Sequence, residues 1–271
     1  MICLVALAIF LSLPAFSQKN SKGLINAEKA FAAFTLAHTI KEGFLQYMDS
    51  AGLVFRQGVP TNALEAFNQQ KAGPGVLIWA PDFAAISASG DMGVTAGPYA
   101  FREKSLQDTP VNKGTFSSIW HINKKGEWKN LADLGISNHE EDTPVKRVEE
   151  ISLKNTEIIT FSFENILLLD HKLNDAIRLR DKESWQPYLS AESRLNTEGH
   201  AMCKGVVPIT SALLAFPKEM VLESLNGGIA SSRDFAYTYG TVSLGDKKDN
   251  YLRAWIYRNG HWELIMQTIK W

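Results

Sequence analysis

A surplus of charge of either sign is missing from this chain: 28 Lys and Arg stand against 29 Asp and Glu in 271 residues. Nucleic acids and anionic membrane surfaces are recognised by concentrated positive charge, so neither is expected as a partner. Cysteine is almost as scarce, with two in the chain, and Cys3 belongs to an apolar leader. Beyond that leader Cys203 stands alone, so it has no internal disulfide partner. Its setting, HAMCKG, brings no matching histidine pattern, and it reads as a small packed residue rather than a nucleophile.

Several motifs are also missing. The chain has no Gly-x-Ser-x-Gly elbow, phosphate-cradling glycine loop, dinucleotide fingerprint or Cys/His set with zinc spacing, so neither cofactor nor metal is expected. GDMG at residues 90–93 reads as a turn because no helical pattern follows it, and Asp91 is expected to bond within that turn. His139 with Glu140, Glu141 and Asp142 reads as a solvated charge run, because adjacent ligands in a flexible stretch rarely make a specific metal site. His171, His200 and His261 share no ligand spacing.

One long apolar run is present, MICLVALAIFLSLPAFS at residues 1–17, uncharged and ending in small residues. It is short for a membrane span and has the core and cleavage spacing of a secretory signal peptide, though no Lys or Arg precedes it. A periplasmic or secreted protein without stable membrane insertion is the expectation.

After the leader, apolar residues recur at helical spacing from Asn26 to Met48, with a break expected near Gly43. A short helix is expected over Pro60–Phe67. From Val76 the texture becomes short strands punctuated by Gly90-Asp91, Gly97-Pro98 and Lys125-Gly126. A polar stretch, placed at 138–160 as a linker, separates this from a second series in the same order, with helices over Phe163–Arg180 and Val207–Phe216 and then strands. Ser89-x-Asp91 followed by Gly97 lines up with Ser232-x-Asp234 followed by Gly240, and Trp120 and Trp128 line up with Trp255 and Trp262. The common order predicts an internal repeat, with domains at 18–137 and 161–271.

Trp79, Pro81, Ser87, Ser89, Gly90, Asp91, Gly93, Thr95, Gly97 and Pro98, followed by Trp120, Gly126, Trp128 and Lys129, carry a resemblance. This pattern resembles the SnoaL-like and ketosteroid-isomerase-like domains of the nuclear transport factor 2-like superfamily. It covers nearly all of residues 27–137 and returns more faintly in the second half as Asp234, Thr238, Gly240, Trp255, Gly260 and Trp262. The resemblance implies an α+β fold of two cone-shaped domains, each a strongly curved antiparallel sheet wrapped around N-terminal helices and leaving an apolar pocket. It also implies face-to-face packing of the two sheets, making the chain an intrachain pseudo-dimer, with further self-association left open.

Isomerase chemistry in that superfamily needs a carboxylate base in the pocket. Alignment on Tyr47-Met48-Asp49 puts Phe55 at that position, and alignment on Tyr188-Leu189-Ser190 puts Asn196 there; neither can abstract a proton. Glu192 and Glu198 keep the second domain open to such chemistry. His38, on the apolar face of the first helix, is the weak catalytic candidate, with Tyr47 or Arg56 beside it. His121 alternates with Trp120, so the two point to opposite faces of a strand. The expected ligand-binding set is Tyr47, Arg56, Trp79, Tyr99, Trp120, Tyr188 and Trp255, which suits a small, mostly apolar molecule. A pocket enzyme of isomerase, dehydratase or hydrolase type and an envelope protein-interaction module stand as alternatives.

Overall fold

The computed structural model describes residues 18–138, 145–154 and 158–271. The expected signal peptide and the His139–Asp142 charge run lie outside these residues. The first half runs α1 (Ser21–Ala37), α2 (Ile40–Tyr47), β1 (Met48–Arg56), β2 (Val59–Asn62), α3 (Ala63–Asn68), β3 (Val76–Trp79), β4 (Phe83–Ile86), β5 (Met92–Arg102), β6 (Asn112–Ile122) and β7 (Trp128–Ser137). After β8 (Glu149–Ser152) come α4 (Phe163–Leu179), α5 (Lys182–Trp185) with a 3-10 turn at Gln186–Tyr188, β9 (Arg194–Thr197) and β10 (Cys203–Lys204). The chain then continues through α6 (Val206–Ala215), β11 (Val221–Ile229), β12 (Phe235–Leu244), β13 (Lys247–Arg258) and β14 (His261–Ile269). This is an α+β fold in two halves.

The first helix ends earlier than Gly43 suggests. His38 is the C-cap of α1, and the Thr39 hydroxyl caps α2 by accepting from the Glu42 amide at 3.1 Å, satisfying one of the donors a helix start leaves orphaned. Gly43 serves a different purpose. A Cβ there would fall 1.9 Å from Thr35 Oγ1, so its missing side chain is what lets α2 cross closely over α1. The expected helix at Pro60–Phe67 begins at Ala63 instead, because Val59–Asn62 pair with β1 and Asn62 then caps α3.

The sheets are ordered β2-β1-β7-β6-β5-β4-β8, with β3 also on β5, and β10-β9-β14-β13-β12-β11. They are mixed rather than wholly antiparallel, since β1 pairs parallel with β7, β4 with β8, and β9 with β14. The parallel β8 lies in the stretch read as a linker, where Arg194 reaches Glu149 at 2.7 Å and Asp82 at 3.1 Å and so ties the second half to the first.

The tryptophan pairs mark equivalent hairpins. In β6–β7 the register shifts between Ile119 and Trp120, and in β13–β14 it shifts between Ala254 and Trp255. The extra residues, Leu131 and Ile265, are bulges at the same place in both, and bulges bend a sheet and increase its twist. Both turns use a glycine at positive φ, Gly126 at 79° and Gly260 at 82°, where a side chain would be strained.

Each sheet uses its two faces differently. One face packs on its own helices: Phe31, Phe44, Trp120 and Trp128 in the first half, and Leu173, Trp185, Trp255 and Trp262 in the second. The other faces pack on each other, with Phe83, Val94, Ile119 and Leu134 meeting Phe235, Leu252, Ile256 and Ile265. Each such fully buried side chain contributes roughly 1.5–3 kcal/mol relative to exposure.

Turns seal the contact reciprocally. The Ser89 amide donates to Ser232 Oγ at 3.1 Å, and the Ser232 amide donates to Ser89 Oγ at 3.3 Å. The Ala88 amide donates to Asp234 at 3.0 Å and the Ser231 amide to Asp91 at 3.3 Å. Asp91 thus bonds Ser89 in its own turn, as its sequence setting suggests, and also the matching turn of the other half.

Candidate binding cavity

The helix-facing side of the first sheet encloses a cavity of about 100 Å³. Phe31 and Phe44 contribute from α1 and α2, Leu77 and Trp79 from β3, Tyr99 from β5, Phe116 from β6, and Asp133 and Gly135 from β7. Strand alternation selects these residues: Phe116 shares a face with Ser118 and Trp120, while Ser117 and Ile119 point towards the second half. Gly135 leaves room, since a Cβ there would still be 3.6 Å from the Tyr99 ring. Leu77, Trp79, Tyr99, Asp133 and Gly135 keep partial exposure, so the cavity opens to solvent.

Among the described residues Asp133 is the one carboxyl on its walls. Ser118 Oγ donates to its Oδ2 at 2.7 Å, and Asn130 Nδ2 approaches the same oxygen at 3.5 Å. Among the described residues no hydrogen bond reaches Oδ1. Burial pushes the Asp133 pKa up to about 6, against the pull of those two donors.

Beneath the cavity lies a second acid. Glu28 on α1 is fully buried and accepts from Trp79 Nε1 at 2.6 Å, Thr95 Oγ1 at 2.5 Å and Trp120 Nε1 at 2.8 Å. Burial raises its pKa to about 7, and the neighbouring Asp133 adds to the rise.

The second half repeats the acid, threonine and tryptophan and adds a cation. Asp170 stands at the eighth position of α4, as Glu28 does in α1. It accepts from Thr238 Oγ1 at 2.9 Å, and Trp255 Nε1 donates to the same threonine at 2.9 Å. Arg253 Nη1 donates to Asp170 Oδ1 and Asn174 Oδ1, both at 2.7 Å, and its guanidinium lies 4.3 Å from the Tyr251 ring centre. Tyr251 and Ser224 hydroxyls each reach Asp170 Oδ2 at 2.6 Å. Arg253 and Asp170 are both fully buried. Register equates Arg253 with Ser118 and Gln267 with Asp133, so the Arg253 side chain crosses from sheet to helix beside the position that Asp133 takes on the cavity wall of the first half.

The residues expected from the sequence are distributed unevenly around this site. Trp79 and Tyr99 line the cavity. Trp120 lies under it, edge-on to Phe31, and Tyr47 stacks on Phe31 at 5.1 Å. Arg56 is exposed on β1, outside the lining. His38 is exposed and stacked on Phe34 at 4.2 Å, also outside the lining. In the second half Trp255 is buried, with Tyr188 edge-on at 6.1 Å.

Phe55 belongs to the core between the sheets and Asn196 donates to Thr268 Oγ1 at 3.2 Å, so neither meets the cavity. Glu192 pairs with Arg258 at 2.5 Å and Glu198 accepts from the Ser137 amide at 3.0 Å. His121 points away from Trp120 and pairs with Asp49 at 2.9 Å.

Sequence reasoning missed Glu28 and Asp133. Each left a signal: Glu28 stands four residues after Leu24 and three before Phe31, both on the helix's buried stripe. Asp133 alternates with Ala132 and Leu134, which face the second half, and so must face the helices.

No family model matches the chain, and no curated protein matches it. The chain is similar to solved structures of nuclear transport factor 2-like and cystatin-like proteins. One, a protein of unknown function with a cystatin-like fold from Nostoc punctiforme, is 20% identical over 42% of this chain and 94% of its own, with a TM-score of 0.36. A nuclear transport factor 2-like protein from Cytophaga hutchinsonii is 18% identical over 40% of this chain and 97% of its own, with a TM-score of 0.34. Another, of unknown function, from Shewanella oneidensis, is 14% identical over 40% of this chain and 97% of its own, with a TM-score of 0.33.

Proposed function

We propose that the first half binds a small, mostly apolar molecule carrying one polar group, and that the second half is its permanent packing partner. The observation that carries this is the asymmetry of the repeat. One half has an open cavity of about 100 Å³, while in the other the register sets the buried side chains of Tyr251, Gln267 and Ile269 where the first half has Phe116, Asp133 and Gly135, with Arg253 held on Asp170 beside them. Apolar walls with few polar groups are the usual make-up of a small-molecule site. Engineered apolar cavities of about 150 Å³ take up benzene, so the occupant here is of similar or smaller size.

Extraction of the purified protein followed by mass spectrometry tests the reading, with Gly135→Leu as the filled control. A small molecule recovered from the wild type and absent from Gly135→Leu supports it. An empty wild type whose thermal stability no small apolar probe alters would remove it.

A catalytic reading is favoured by one observation, the position of Asp133. A carboxyl with its pKa near 6 facing an apolar cavity can exchange a proton with a bound molecule near neutral pH, as an isomerase or dehydratase requires. Turnover of bound material by the wild type but not by Asp133→Asn would establish it.

We further propose export to the periplasm or the medium, supported by the apolar run at residues 1–17. Cell fractionation with N-terminal sequencing of the recovered protein tests this, and a cytosolic chain starting at Met1 would contradict it.

A further inference from the structure

We propose that the molecule bound in the first half is a small organic cation, of the methylated-ammonium or alkylamine class, with Asp133 as its counter-ion. This rests on the reading of that cavity as a binding site.

Three observations carry the inference independently of one another. The first is the wall chemistry. Phe31, Phe44, Trp79, Tyr99 and Phe116 surround the cavity, and among the described residues no Lys, Arg or His lines it. The polar hydrogens of the amphipathic rings are used elsewhere: Trp79 Nε1 donates to Glu28 at 2.6 Å and Tyr99 Oη to Asn112 at 3.1 Å. What these rings offer an occupant is π surface, which attracts cations through the ring quadrupole.

The second is the state of Asp133. Both donors reach Oδ2, so Oδ1 remains for a positively charged or hydrogen-bonding ligand. An anion would meet Asp133 and, behind it, Glu28, with no positive side chain among the described wall residues to offset them.

The third is the second half of the chain itself. There the equivalent helix acid, Asp170, holds a guanidinium at 2.7 Å, and the same guanidinium sits 4.3 Å over the Tyr251 ring. Arg253 is an organic cation between a buried carboxylate and an aromatic face. The first half keeps the helix acid and adds a second acid and the rings, but has Ser118 where Arg253 stands. It lacks the cation, and its cavity is bounded by Asp133, the hydrogen-bond partner of Ser118.

Tetramethylammonium, tert-butanol and trimethylacetate have nearly the same shape and carry a positive, neutral and negative group. Titration of each into the full chain, followed by NMR at the Gly135 amide and by calorimetry, separates the outcomes. The proposal expects tetramethylammonium to bind at least about tenfold more tightly than the other two, a difference of about 1.4 kcal/mol. It expects Asp133→Asn to erase that preference.

Neutral binding equal to or tighter than cation binding in the wild type would overturn the cation assignment and leave the apolar-cavity reading standing. Binding of none of the three would overturn both. The comparison of probes within the wild type decides the matter even if the variant fails to fold.

Discussion

Ser118 and Arg253 occupy the same place in the two halves, each two residues before the buried tryptophan of its hairpin, Trp120 or Trp255, and each opposite a polar residue of the last strand, Asp133 or Gln267. The short Ser118 hydroxyl donates to Asp133 on the cavity wall, whereas the long Arg253 guanidinium reaches the helix acid Asp170. Together with Gly135 in the first half and Ile269 at the same place in the second, this difference separates a half with a cavity from a half with a buried internal ion pair.

Arg253→Met should strip the fully buried Asp170 of its counter-charge. Removing one partner of a buried pair typically costs about 3–5 kcal/mol. The double variant Asp170→Asn with Arg253→Met should recover much of that loss, because no isolated charge is then buried. Urea unfolding of the two single variants and the double variant checks this; additive losses would contradict it.

The stability that Asp133 and Glu28 contribute should fall as pH rises from about 4 to about 7. Burial raises both Asp133, to about 6, and Glu28, to about 7, above their values of 3.8 and 4.5 in the unfolded chain. At these two groups the folded chain therefore holds more protons than the unfolded chain across this window, and their contribution is fullest below it. Asp133→Asn and Glu28→Gln should each flatten the slope, removing a dependence on the order of 1–3 kcal/mol per carboxyl. Chemical denaturation across the window reads it directly.

Asp91 should act with the opposite sign. Burial alone would raise its pKa, but donors from Ser231, Ser89 and Ser87 outweigh that and hold it below the ordinary carboxylate value. Its contribution is present at neutral pH and lost as pH falls through its lowered value. Asp91→Ala leaves the Ser231 amide and hydroxyl without this acceptor at the contact between halves, at a cost of about 1–3 kcal/mol. Hydrogen exchange should quicken at the Ser231 amide in this variant.

Much of the fold was legible because it repeats. Two tryptophan-bracketed hairpins and two Ser-x-Asp turns in a common order are hard to produce except by one unit used twice, and their glycines answer to backbone geometry. The Ser-x-Asp pairs read only as repeat markers, and that they meet at the contact between the halves, reciprocally across Ser89 and Ser232, could be seen only in three dimensions.

The cavity was less legible. Trp79 and Tyr99 were found by their aromatic abundance, whereas Glu28 and Asp133 were hidden by expecting a catalytic acid just after the second helix, where Phe55 turns to the other sheet. His38 looked central from helical periodicity, but α1 ends at Ala37, so His38 sits on an exposed cap. The cation paired with Asp170 in the second half depended on the register of Arg253 against Gln267, which no local pattern reveals.

Gly135→Ala should be tolerated, since its Cβ would make ordinary contact with Tyr99 at 3.6 Å, and reduced freedom of the unfolded chain favours it by about 0.4–1 kcal/mol. Larger residues at this site should fill the cavity progressively. Thermal unfolding of an Ala, Val and Leu series checks the tolerance; a loss of several kcal/mol already at Ala would show that the wall is tighter than the structure has it.

The most direct test installs the second half's cation in the first. Calorimetric titration of tetramethylammonium into the wild type and into Ser118→Arg compares the open cavity with one filled by its own guanidinium, circular dichroism serving to show that both are folded. The account predicts saturable binding to the wild type and none to folded Ser118→Arg. Equal binding to both, or none to the wild type, would contradict it.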